Sequence, residues 1–289
     1  MLTNVMFALA QSKEASSENI CFFDEEVHKK KEFENFIESN MQQALDSQCF
    51  EMVLQPKMNL QTNSVIAAEA LVRWRLEDGT YLPPSSFVDI FEKNRFCSKL
   101  DFYMLKKAIQ QIRKWIDMGI NPVNISVNQS KIVFYHENYI SELKSLLEEY
   151  NVSGSYITLE VLESTVIEDI DIFNSILTEV KKLGFSVSLD DFGSGYSSLN
   201  VLSKLQIDEL KIDRIFLHTK SEVDNQRTKW ILESIIDIAK KSQILVVVEG
   251  VESKQDDLFI KNLGADVGQG YFYGRPLSIS AFNDLIETK

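Results

Sequence analysis

Cysteine is scarce in this chain: Cys21, Cys49 and Cys97 are an odd number, widely spaced, with no CxxC pair. That argues against a disulfide frame or a cysteine-held zinc site and leads us to expect reduced thiols in a cytoplasmic protein. Histidine is as sparse, and His28, His136 and His218 fall outside the segments that read as strand ends. No apolar run is long enough to span a bilayer, and residues 1–12 lack the basic flank and cleavage pattern of a secretory leader, so no membrane contact is expected. Positive charge is also in deficit, with 30 Lys and Arg against 43 Asp and Glu, a formal net charge of −13. Such a chain does not suit nonspecific binding of DNA or RNA, which needs clustered basic side chains to meet phosphates. It can still take a small phosphate ligand where bound metal ions reverse the local sign.

What the chain does have is apolar material, 44% of 289 residues, in a regular alternation. Strand-like runs cover residues 52–58, 65–74, 122–128, 156–163, 185–191, 209–213, 244–250 and 268–274. Helical patterns lie between most of them, over 101–118, 137–150, 168–183, 222–241, 253–263 and 278–287. Eight strands alternating with helices predict an α/β fold, a (β/α)8 TIM-like barrel, with a doubly wound open sheet as the competing arrangement. Residues 1 to about 47 read as a short N-terminal helical extension, two helical pieces separated by ENICFFD.

In such a barrel the chemistry sits where strands end, so ionisable or amide side chains at those ends are candidates. The search gives Glu69, Asn124, Glu160, Asp190 with Asp191, Lys211 with Asp213, Glu249 and Gln269. The proposed metal ligands among them are oxygen donors, which select Mg2+ or Mn2+ over zinc or copper. They carry too many carboxylates for one ion, and two ions bridged by a shared aspartate would balance the charge. Adjacent strand residues point to opposite faces, so Asp190 and Asp191 can reach one cluster only if the strand ends there and the chain turns through Gly193 and Gly195. That glycine loop reads as a turn or as a phosphate cradle, and it matches neither a Walker loop nor a dinucleotide fingerprint. Lys211 reads as a cation near the metals or as a salt-bridge partner. Arg73 and Arg275 read as phosphate forks or as structural residues, and Tyr271, Phe272 and Tyr273 as packing or a base platform.

The motifs AAEALVRW, NISVNQS, LEVLES, LDDFGSGYSSL, ELKIDR, VVVEGVES and GQGYFYGRPL resemble, in order and spacing, those of the EAL domain, the bacterial cyclic di-GMP phosphodiesterases. The resemblance covers about Phe50 to Lys289 and implies hydrolysis of cyclic di-GMP to linear pGpG with two divalent ions, Mg2+ or Mn2+. It implies that Glu69, Asn124, Glu160 and Asp190 hold the first ion and that Asp190, Asp191 and Glu249 serve the second. It further implies Lys211 on the attacking water, Glu249 as a base, and Asp213 and Gln269 as supports. Gln55, Arg73 and Pro276 match positions near substrate. Glu163 and Glu252 match structural acids, Glu163 anchoring a DDFG loop that also shapes a homodimer contact. The resemblance leaves a weak or silent cyclic di-GMP receptor acting through dimer contacts as the alternative. Residues 1–32 resemble the end of a GGDEF-like domain and its linker, which implies residues 33–289 as the EAL domain and a longer GGDEF-EAL parent.

Overall fold

Segments such as ITLEVL and ELKI are rich in β-branched or long apolar residues, too short for stable helices, and buried on both faces. Strands of that kind need helices over one side and a filled interior on the other. The computed structural model describes residues 25–166, 170–193, 202, 204–217 and 222–287 and shows both. The strands are β1 (Phe50–Asn59), β2 (Ser64–Arg75), β3 (Tyr81–Leu82), β4 (Asn124–Gln129), β5 (Ile157–Leu162), β6 (Ser186–Phe192), β7 (Glu209–Ile212), β8 (Leu245–Val248) and β9 (Val267–Gln269). Their order is β1-β9-β8-β7-β6-β5-β4-β2, and β1 also pairs with β2, so eight strands close into a ring. From β2 through β4 to β9 the neighbours are parallel, whereas β1 runs against β9. The barrel expectation holds and the open sheet does not.

The chain divides into two compact units, one holding residues up to Phe50 and Trp74–Asn94, the other Glu51–Arg73 and Arg95–Lys289. Within the first, the helix Glu25–Asp46 runs unbroken through residue 32. Phe50, Trp74, Phe87 and Phe91 form its aromatic cluster, with ring centroids 5.1 Å apart for Phe50 and Trp74 and 5.2 Å for Phe87 and Phe91. There β3 pairs with the end of β2 through Trp74 opposite Leu82. The proposed boundary elements in residues 1–24 lie outside the described residues.

In the second unit, the helix Cys97–Asp117 buries Leu105, Ala108, Ile109, Ile112 and Trp115, the spacing of one apolar face. The helix Lys254–Leu263 starts at a reciprocal Ser253–Asp256 capping box and stops at Gly264, whose φ is +83°. One expectation fails: the strand read over 268–274 stops at Gln269, and a turn follows. The Gly270 backbone lies so close to Val251 that a Cβ there would sit 2.2 Å from the Val251 oxygen, and Gly274 N–H donates back to the Gly270 carbonyl. Aromatic content alone suggested strand; close backbone approach made a turn. Among the described residues, no helix is long and apolar enough to cross a membrane. Leu105→Ala, which empties a fully buried site, should cost about 2–5 kcal/mol, read as a lowered urea midpoint by circular dichroism.

Candidate active site

Side chains of one face recur every second residue along a strand, so each barrel strand stacks its inward groups in layers. The deep layer here is ionic. Lys57 of β1, fully buried, donates to Ser126 Oγ of β4 at 2.7 Å, Glu160 Oε1 of β5 at 2.7 Å and Glu209 Oε1 of β7 at 2.8 Å. Above it, Lys211 of β7 meets Glu160 Oε2 at 2.9 Å, Asp190 Oδ1 at 2.9 Å, Glu249 Oε1 at 2.7 Å and Glu69 Oε2 at 3.5 Å. Three N–H bonds face four carboxylates, so Lys211 alone does not satisfy them.

The second half of this site is made by a distortion of β6. Its register against β7 slips between Leu189 and Phe192, and Asp191 takes φ +57°, a left-handed conformation rare outside glycine. The bulge and that backbone angle bring both aspartates to one side: Asp190, Asp191 and Glu249 offer oxygens within 4.8 Å of one another. The distortion therefore starts within β6 at Asp191, two residues before Gly193. Gly193 follows at φ +97°, where a Cβ would lie 2.2 Å from the Phe216 ring. Residues 194–201, including Gly195 and the rest of the expected DDFG loop, lie outside the described residues.

A cavity of about 340 Å³ opens over these groups, lined by Gln55, Glu69, Asp190, Asp191, Lys211, Arg214, Glu249, Glu252, Gln269 and Tyr271, among others. Gln269 donates to Glu69 Oε2 and, at 3.5 Å, to Gln55 Oε1, while Gln55 donates to the Gly274 carbonyl. Asp213 caps the turn Arg214–Phe216 by accepting from Ile215 N–H at 2.7 Å, with its carboxylate near that of Asp191. Arg73 is half-buried and donates to the Val72 carbonyl; burial lowers its pKa, with nearby Glu69 opposing the shift. Arg275 stacks on Tyr271 with its guanidinium 4.2 Å from the ring centroid. Pro276 is half-buried and precedes Leu277, whose backbone pairs with Leu54. Glu163 is buried just after β5, and Glu252 is exposed at the cavity mouth.

Asn124 is not part of this group. It opens β4 at the far end of the barrel, where its amide donates to the Ser155 carbonyl at 3.2 Å and accepts from Thr158 at 2.8 Å. Asn128, four residues on and on the same face, donates to Glu69 Oε1 at 3.1 Å. In NISVNQS both asparagines point inward, and the parallel-strand rule itself selects the later one. Lys57 escaped the search for a related reason: β1 runs backwards, so its polar residues do not follow the strand-end rule.

Charge follows this geometry. Burial pushes Glu69 and Asp190 above the usual carboxylate range against the pull of Lys211. Burial and neighbouring Asp213 raise Asp191, and burial takes Glu249 up to about 8. Glu160 goes the other way: despite complete burial, Lys211 and Lys57 hold it down at about 2. Surplus negative charge, an all-oxygen donor set, and a buried Gln269 Oε1 with no hydrogen-bond donor fit hard divalent cations such as Mg2+ or Mn2+.

The family model described as "EAL domain" matches residues 38–276. The chain belongs to the EAL domain family. This EAL chain is 30% identical over 277 residues to the bifunctional diguanylate cyclase/cyclic di-GMP phosphodiesterase MucR of Pseudomonas aeruginosa, covering 96% of itself and 40% of that protein. It is 30% identical over 276 residues to the cyclic di-GMP phosphodiesterase PdeR of Escherichia coli, covering 95% and 41%. The EAL chain thus spans about two-fifths of the length of these relatives. The solved structure of the PaMucR phosphodiesterase in complex with c-di-GMP superposes with a TM-score of 0.79 at 32% identity, covering 85% of this chain and 99% of that one.

A carboxyl raised by folding binds its proton more tightly in the folded state, so its contribution to stability is lost as pH climbs from the unfolded value towards the folded one. For Glu249 that window runs from about 4.5 to about 8. The metal-free protein should therefore melt progressively lower as pH rises through this range, and Glu249→Gln should flatten the slope in thermal melts with chelator.

Proposed function

We propose that this chain is a metal-dependent phosphodiesterase that hydrolyses cyclic di-GMP to linear pGpG. The observation that carries the reading is the crowding of Glu69, Glu160, Asp190 and Glu249 around the single ammonium of Lys211, with Asp191 alongside, under an open cavity. Five carboxylates less one ammonium leave four negative charges, which two divalent ions cancel. Family membership and the named activities of MucR and PdeR support the same conclusion.

In this reading Glu69, Asn128, Glu160 and Asp190 would hold one ion, and Asp190, Asp191 and Glu249 the other. When bound, the pair neutralises charge on the phosphoryl oxygens and activates water for in-line displacement. Lys211 orients the attacking water. Glu249, whose carboxylate lies 2.7 Å from the Lys211 ammonium, accepts its proton. The water oxygen attacks phosphorus and the ribose 3′ oxygen leaves. Gln269 and Gln55 brace Glu69 from the cavity wall, and Asp213 supports the turn beside Asp191. Arg73, Gln55 and Pro276 face the substrate, and Glu163 and Glu252 support the surrounding loops.

A homodimer in the cytoplasm is part of the proposal. The apolar groove lined by Phe192, Phe216, Trp230 and Ile231, beside Asp191, supports the dimer. The bifunctional name of MucR supports a preceding GGDEF-like domain.

Purified chain with Mn2+ or Mg2+ should convert cyclic di-GMP to pGpG, followed by chromatography; ligand binding with no turnover in either metal would leave only the receptor role. Asp190→Asn, which removes the shared ligand, should abolish turnover. Asn128→Ala should lower metal affinity by about 10–100-fold, whereas Asn124→Ala should leave it unchanged.

A further inference from the structure

Lys57 lies outside the cavity lining, yet its ammonium is committed on every side: Ser126 of β4, Glu160 of β5 and Glu209 of β7 take its three N–H bonds at 2.7, 2.7 and 2.8 Å. Glu209 alone would neutralise it. The bond to Glu160 has a further effect, because it divides the two oxygens of that carboxylate. Oε1 is tied down to Lys57 in the barrel interior, and Oε2 is left on the cavity side with Lys211. Ser126 of β4 and Glu209 of β7 fix the Lys57 ammonium independently of Glu160, and Lys211 holds Oε2, so rotating Glu160 to present both oxygens together would break both ion pairs.

The geometry points to Lys57 as a positioning residue that makes Glu160 a one-oxygen ligand and thereby selects small octahedral cations over larger ones. This rests on the proposed role of Glu160 as a metal ligand. Mg2+ and similar ions demand near-ideal octahedral coordination at short distance, while Ca2+ takes six to eight oxygens and readily accepts a carboxylate through both. With Oε1 withheld, the site cannot expand its coordination at Glu160. Removing Lys57 also removes a positive charge, which shifts the affinity of all divalent ions together. A ratio between two ions of equal charge cancels that effect and reads the geometry.

The test is calorimetric titration of the whole chain with Mn2+ and with Ca2+, in wild type and in two paired variants. Lys57→Met with Glu209→Met removes the donor and leaves no lone buried charge; Lys57→Gln with Glu209→Gln keeps an amide N–H for Glu160 Oε1. The ratio Kd(Ca2+)/Kd(Mn2+) should fall about tenfold in the Met pair and return to within about twofold of wild type in the Gln pair. An unchanged ratio in the Met pair, or equal losses in both pairs, would overturn the assignment. If the Met pair does not fold by circular dichroism, single Lys57→Met takes its place, and failure of both to fold would mean that Lys57 is purely structural. Wild type that binds no Mn2+ would remove the metal reading itself, and this inference with it.

Discussion

One ammonium held among four carboxylates sets the terms for the rest of the barrel. Lys211 is fully buried, and a buried charge persists only with partners in good geometry. Glu69, Glu160, Asp190 and Glu249 provide them from four different strands or strand ends, so the ring must close in the correct register for the lysine to be tolerated at all. The same four acids outnumber its N–H bonds, and burial pushes Glu69, Asp190 and Glu249 above the usual carboxylate range against its pull. A barrel built for stability alone would fill this layer with apolar side chains. This one keeps a charge deficit at its mouth and sets a second lysine, Lys57, beneath it to keep Glu160 ionised and still.

The paired aspartates show how local backbone supplies what a regular strand cannot. Alternation would send Asp190 and Asp191 to opposite faces. A register slip in β6 and a left-handed Asp191 bring both to the cavity, and Gly193, pressed against the Phe216 ring, carries the chain away. Strain at Asp191 is offset locally: its N–H donates to the Asp190 carboxylate at 2.9 Å.

Much of this was legible in the residues. Alternating β-branched runs and amphipathic helices were sufficient for the barrel, and the strand-end rule found Glu69, Glu160, Asp190, Asp191, Lys211, Glu249 and Gln269, which line one cavity or its floor. The rule failed where its premises did. It does not weigh two inward asparagines on one strand, so Asn124 was taken where Asn128 meets Glu69. It assumes parallel strands, so the reversed β1 hid Lys57. It has no term for backbone proximity, so GQGYFYG read as strand although Gly270 is wedged against Val251. What sequence periodicity misses here is direction and depth along a strand, which only the closed ring defines.

The central claim is that the carboxylates around Lys211 form a two-ion site. Diffraction from crystals soaked in Mn2+ and cyclic di-GMP, collected at the manganese edge, tests it most directly. The account predicts two anomalous peaks about 3.5–4 Å apart, one beside Glu69, Asn128 and Glu160, the other beside Asp191 and Glu249, with Asp190 between them. No peak in this cavity, or a single one that leaves Asp191 and Glu249 without an ion, would contradict it.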